Sequence, residues 1–216
     1  QVVDPYTGEI REPHKKDVAD SARVIDFLDD IDFCEKALGA HDVDQLTVPL
    51  HNAEAILPNT TKHCAFGPGN GQLLHRIIDM GAAIAGSRET FGQRPNISFT
   101  TCPVSPLKLI DDCCQIIMEA ARTNTVCNIL SMAMAGATAP ATLAGALTVH
   151  NAEILGGVTL SQLARKGAPV IYGSSTTAMD LRIGTASVGT PEACLVSGAV
   201  ACLAKYYKIP SYVGGT

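Results

Sequence analysis

Short, continuously apolar runs alternate along this chain with longer stretches whose apolar residues recur every three or four positions. The runs cover residues 63–66, 97–102, 126–131, 170–173 and 212–214, and the helical spacing predicts helices over 72–85, 107–122, 142–166 and 191–207. In the third helix the recurring residues are Leu143, Leu147, Ile154 and Leu155. Strands that look apolar on both sides are buried on both faces, and parallel neighbours need a crossover of helix length. The rhythm therefore predicts right-handed parallel βαβ units, with ligands at the carboxyl ends of the strands.

Ahead of this rhythm, residues 2–10 read as a β-hairpin turning around Tyr6 to Gly8. Val18, Ala22, Ile25 and Leu28 predict a helix over 15–29, followed by a strand at 31–33 and a helix over 50–57 that ends before Pro58. Ser105-Pro106 and Thr190-Pro191 read as helix starts, each a capping hydroxyl followed by a proline at the first helical position. Gly167 reads as a left-handed helix end.

The expected fold is α/β, a (β/α)8 TIM barrel of which this chain is an incomplete portion. A barrel is preferred over an open sheet because no G-x-G-x-x-G follows the first strand and the strand-end loops are elaborated on one end. Residues 1–60 are expected to lead in as a hairpin and helices, and residues 61–216 to supply five strands and four helices. Roughly three βα units would then be missing. The lack of an initiator Met and the final SYVGGT read as cut ends.

The charge balance, 16 basic against 21 acidic residues for a net −5, offers no basic footprint for nucleic acid or an anionic membrane. No run reaches the ~18 apolar residues of a membrane span, and the opening QVVDPYTGEIREPHKK is unlike a signal peptide, so the expected setting is cytoplasmic. The eight cysteines form no C-x-x-C pair and read as reduced, mostly buried thiols, with no resident metal expected.

Candidate chemistry lies after the strands. The longest loop, 173–192, has no predicted structure of its own; its hydroxyls Ser174, Ser175, Thr176 and Thr177 would orient a ligand, and Asp180 with Arg182 either join them or form a solvated pair. Cys102 is either a nucleophile without a visible base or a buried small apolar residue. Met132 and Met134 either wall a methylated, cationic or corrinoid ligand or fill gaps. By strand-end position the candidate substrate-binding residues are Thr101, Cys102, Ser131, Met132, Ser174 and Ser175.

Two further signals carry less weight. The tetrapeptide His-Asn-Ala-Glu occurs at 51–54 and again at 150–153. Its His and Glu share a helix face, but His150 is expected ~15 Å along its helix from the strand ends, so a polar contact between helices is favoured over a metal site. Gly67-Pro68-Gly69-Asn70-Gly71 precedes a helix and reads as a tight loop rather than a phosphate cradle.

The phrases CPVSPL (102–107), ILSMAMAGATAP (129–140), VHNAEIL (149–155), YGSSTTAMDLR (172–182) and PSYVGG (210–215) resemble the trimethylamine:corrinoid methyltransferase family, which includes glycine betaine methyltransferase relatives without pyrrolysine. The resemblance covers most of 95–216 and is thinner upstream. It implies a (β/α)8 barrel that moves a methyl group from trimethylamine to the Co(I) corrinoid of a cognate corrinoid protein, in methylamine-dependent methanogenesis or one-carbon metabolism. The corrinoid (cobalamin) would be carried by that partner and none bound permanently; the barrel would be a homo-oligomer. Trimethylamine members carry pyrrolysine, encoded by an in-frame amber codon, at or just after the strand that here reads SYVGG, which places Thr216 at or beside that catalytic position. A substrate of glycine betaine or another quaternary amine is the alternative. Two readings from other classes are a metal-dependent barrel hydrolase or lyase, and a non-catalytic barrel that binds a corrinoid protein or an amine.

Overall fold

The computed structural model describes residues 1–214. The chain forms two compact units, 1–99 and 100–216.

The first unit opens with the expected hairpin, β1 (Val2–Val3) antiparallel to β2 (Ile10–Arg11). The Asp4 side chain accepts the N–H groups of Tyr6 and Thr7, which folds the turn, while Gly8 takes φ 74°. Arg11 bridges Asp4 and Asp17, and its guanidinium holds the Asp17 carboxyl down at about 2. Then follow α1 (Lys15–Phe27), β3 (Phe33–Glu35), α2 (Val48–Ile56), a 3₁₀ turn (Leu57–Asn59), β4 (His63–Phe66), α3 (Gly71–Ala85), α4 (Arg88–Gln93) and β5 (Ile97–Thr101), whose last residues enter the second unit. β3, β4 and β5 are parallel, with Cys34 opposite Cys64 and Cys64 opposite Ile97.

Three expectations shift here. The strand expected at 31–33 lies at Phe33–Glu35, because its register is set by pairing with β4. The second helix begins at Val48, two residues before its expected start, and ends at Ile56, ahead of Pro58 as expected; a separate 3₁₀ turn then carries Pro58 at an N-terminal position, where it needs no N–H donor. The short α4 was not legible in the apolar spacing; Ser87 caps it by accepting Thr90 N–H, and Phe91 is buried from it. Phe91 and Ile97 press so closely on α3 that a Cβ at Gly81 would stand 2.5 Å from Ile97.

The second unit continues with α5 (Asp111–Arg122), β6 (Val126–Ser131), β7 (Met134–Ala135), α6 (Leu143–Ala164), β8 (Val170–Ser174), β9 (Thr177–Asp180), β10 (Thr185–Ala186), α7 (Pro191–Tyr207) and β11 (Ser211–Val213). β6, β8 and β11 run parallel, with Ile129 opposite Tyr172 and Tyr172 opposite Ser211. Ile129 points at α6, where Gly157 leaves it room: a Cβ there would stand 2.9 Å from its side chain. By strand alternation Asn128 points to the other face, where Gly173 leaves space for it; a Cβ on Gly173 would lie 2.2 Å from Asn128 Oδ1 and 2.9 Å from the Ile129 carbonyl.

The Ser105-Pro106 helix start is corrected. That peptide is cis, Leu107 has φ 61°, and Val104 and Lys108 exchange backbone hydrogen bonds, so the segment is a closed turn. α5 begins only at Asp111, where Asp111 and Asp112 complement the helix N-terminus. α7 does begin at Pro191, but the Thr190 hydroxyl donates to the Ser187 carbonyl instead of capping the helix. Gly167 has φ 83° and follows the helix in a turn closed by Gln162.

The 173–192 loop is also corrected. β9 and β10 form a hairpin across it, and β7 pairs parallel with β9, so Met134 begins a strand rather than a loop wall. The last strand lies at Ser211–Val213, and Gly215 and Thr216 fall outside the described residues. Each unit thus combines parallel strands with helical crossovers, a mixed α/β architecture. Among the described residues no helix is long and apolar enough to cross a membrane.

Candidate functional site

The candidate site is built at the carboxyl ends of β6 and β8, beneath the loops that follow them. Apolar spacing turns Ala146, His150, Glu153, Ile154 and Gly157 of α6 inward, all buried. A buried carboxylate is tolerated only if its oxygens are satisfied. Glu153 Oε2 accepts the Ser131 hydroxyl at 2.5 Å and the Ser105 hydroxyl at 2.9 Å, while Oε1 accepts Leu107 N–H at 2.9 Å. One side chain therefore ties together the turn after β5 and the end of β6.

His150 does the same for the loop after β8. Its Nδ1 lies 3.0 Å from Thr176 Oγ1, which in turn lies 3.4 Å from the Ser131 carbonyl. Thr176 has a single hydroxyl proton, so both contacts are satisfied when Nδ1 carries the imidazole proton and the Thr176 hydroxyl donates to Ser131. The ring is fully buried, edge-on to Tyr172 at 5.3 Å, and burial pushes its pKa down to about 4, so His150 is neutral at pH 7. Its Nε2 has no hydrogen-bond partner. Tyr172, whose phenol burial raises in pKa, donates to Asn151 Oδ1 at 2.7 Å, and Asn151 donates onward to the Tyr207 hydroxyl.

Above this seam is a cavity of about 210 Å³, lined by Ser175, Thr176, Thr177, Ser197, Val188 and Gly214 among others, with no ionisable side chain among the described residues of its wall. Ser175 N–H donates to the Ser131 carbonyl at 2.9 Å, which sets the height of the wall. A hydroxyl-bearing cavity whose described lining is uncharged suits a small group that needs orientation, and no base stands in it among the described residues.

The candidates taken from strand-end position separate into groups. Ser131, Ser174 and Ser175 come together, but only Ser175 lines the cavity: Ser131 is turned to Glu153, and Ser174 Oγ accepts Thr176 N–H at 3.1 Å. Thr101 is buried and shares a hydrogen bond with Cys113 of α5. Cys102 is exposed, so its reading as a buried small apolar residue does not hold. Met132 is 45% exposed immediately after β6. Thr216 lies outside the described residues.

Other signals resolve simply. Both copies of His-Asn-Ala-Glu make the expected polar contact between helices, Glu54 with Lys15 of α1 and Asn151 with Tyr207 of α7, but His150 and Glu153 also reach the strand ends, because the second and third turns of α6 stand level with them. Among the described residues no three His, Cys, Asp or Glu side chains group as metal ligands, and all eight cysteines are free. Arg182 donates twice to Asp180, a largely solvated pair closing the β9–β10 turn. Asn70 caps α3 by accepting Leu73 N–H. The residues that apolar patterning missed are Glu153 and His150, although one signal was present: Glu153 is the sole charged residue in LAGALTVHNAEILGGVTLSQLA.

Fold and site together define a mixed α/β protein with a cavity at the ends of parallel strands whose described lining is uncharged. Residues 1–216 match the trimethylamine methyltransferase (MTTB) family, and the chain belongs to it. It is 44% identical over 214 residues to trimethylamine methyltransferase MttB of Desulfitobacterium hafniense, covering 99% of this chain and 43% of the relative. It is 43% identical over 204 residues to the MttB of Methanosarcina barkeri, covering 94% and 41%. A glycine betaine methyltransferase of another D. hafniense strain is 35% identical over 153 residues, covering 70% of this chain and 32% of that protein. The chain spans less than half the length of these curated relatives.

Proposed function

We propose that the protein containing this chain is a methyltransferase that moves a methyl group from trimethylamine to the Co(I) corrinoid of a cognate corrinoid protein. The observation that carries this reading is the family match across residues 1–216, with 44% identity to an MttB. The parallel strands and crossover helices of each unit support a share in a (β/α)8 barrel, and the setting is cytoplasmic and homo-oligomeric.

The transfer balances as follows. The C–N bond of trimethylammonium breaks and nitrogen keeps the electron pair and its proton, leaving as dimethylamine. The cobalt of the partner supplies both electrons of the new C–Co bond and passes from Co(I) to Co(III). This chain's residues would bind and orient: the cavity at Ser175 and Thr177 holds no group that would compete for the proton, and exposed Cys102 and Met132 give the strand-end rim uncharged side chains suited to the edge of a large macrocycle. Among the candidate substrate-binding residues Thr101, Cys102, Ser131, Met132, Ser174 and Ser175, direct contact falls to Ser175, and the buried ones position it.

A second reading is favoured by the glycine betaine relative: a quaternary amine already carries its charge and needs no activating residue. The two are separated at the position following Thr216. Peptide mass spectrometry of the native protein should find a residue of pyrrolysine mass directly after Thr216. Only ordinary residues there would transfer the assignment to glycine betaine or another quaternary amine.

A further inference from the structure

We propose that Glu153 is a positioning residue for the transfer, acting on the cavity wall through Ser131; this rests on the function proposed above. Glu153 is 3% exposed and gathers three donors, the Ser105 and Ser131 hydroxyls and Leu107 N–H. A group that accepts on both oxygens takes all three of these protons, whereas an amide accepts on one atom only, so either the two serine hydroxyls or Leu107 N–H would lose the acceptor it has here. The bond to Leu107 stabilises a backbone at φ 61°, a conformation that costs energy for any residue with a Cβ. The bond to Ser131 fixes the last residue of β6, and the Ser131 carbonyl then receives Ser175 N–H and the Thr176 hydroxyl, both from residues of the cavity wall. A continuous series of hydrogen bonds therefore runs from Glu153 to the cavity. His150, one turn earlier on the same face, grips Thr176 from the other side.

The test uses the full-length protein with its corrinoid partner. Glu153→Gln keeps the size of the side chain but replaces one accepting oxygen by an NH2, which either faces Leu107 N–H donor to donor or obliges the Ser105 and Ser131 hydroxyls to accept and turn their protons away. At a temperature where circular dichroism shows the variant folded, kcat with the amine should fall at least tenfold. Ser131→Ala should lower kcat by itself and add little in the Glu153→Gln background, because both act through one bond. Glu54→Gln, in the other copy of the tetrapeptide, should leave turnover unchanged. A lowered Tm with unchanged kcat in the folded variant would overturn the proposal. Amide hydrogen exchange gives a readout without substrate: peptides spanning 105–107 and 175–177 should exchange at least tenfold faster in Glu153→Gln, and unchanged exchange would overturn it. If the wild type demethylates no amine, the function proposed above fails, and the exchange result still decides whether Glu153 positions the wall.

Discussion

The same four residues, His-Asn-Ala-Glu, occur in α2 and in α6 and end in opposite surroundings. In α2, Asn52 and Ala53 turn inward, Asn52 accepting Ala40 N–H, while Glu54 is exposed and pairs with Lys15 at 2.5 Å beside His51. In α6 the helix is rotated so that His150 and Glu153 turn inward and Ala152 faces out. The flanking apolar residues decide this. Ala55 and Ile56, three to four residues on from Asn52 and Ala53, pull that side of α2 into the first unit, whereas Ala146, Ile154 and Gly157 define a stripe on α6 that includes both polar residues. A motif's chemistry is thus set by the rotation of the helix that carries it, and here that rotation turns a surface ion pair into a buried connector.

The contrast predicts unequal costs. Glu153→Ala strands the buried Ser131 hydroxyl and takes the acceptor from the part-buried Ser105 hydroxyl and Leu107 N–H, and should destabilise the protein by about 3 kcal/mol in urea unfolding, with loss of turnover. A cost like that of a surface residue would remove the distinction between the copies.

A second consequence is a pH dependence to which both histidines lowered by burial, His150 and His63, contribute, His150 the more deeply buried. The folded pKa of His150 is depressed to about 4 from 6.5, so the unfolded chain binds its proton first as pH falls. Its contribution is present in full above pH ~6.5, declines as pH falls toward 4, and totals about 3 kcal/mol over that window. Tyr172 is the titratable ring against it. His150→Gln should flatten the stability profile between those limits; an unchanged slope would assign the effect to other groups.

The smallest effect belongs to α2. Glu54→Gln removes a largely exposed ion pair and should change stability by no more than ~0.5 kcal/mol, less at high salt. Unfolding at two ionic strengths checks it.

Much of the strand and helix order was legible because buried parallel strands leave unbroken apolar runs: β4 and β6 fall where the sequence places them, as does α7. What escaped depended on partners distant in sequence. Ser105-Pro106 has the local form of a helix start, but Glu153, nearly fifty residues later, claims Ser105 and Leu107 and closes a turn instead. The hairpin inside 173–192 depends on β7, a two-residue strand too short to leave a pattern. Strand-end position named Ser131, Ser174 and Ser175, which the fold brings side by side, but it could not tell which hydroxyl faces the cavity, because that is set by contacts with α6 and the loop after β8.

The most direct test is methyl transfer itself. The native full-length protein, its corrinoid partner reduced to Co(I), and trimethylamine are combined anaerobically, and dimethylamine and methylated cobalt are measured together. Stoichiometric appearance of both, absent without the protein, is the predicted result. Transfer from glycine betaine but not trimethylamine, or from neither, would contradict the proposed reaction.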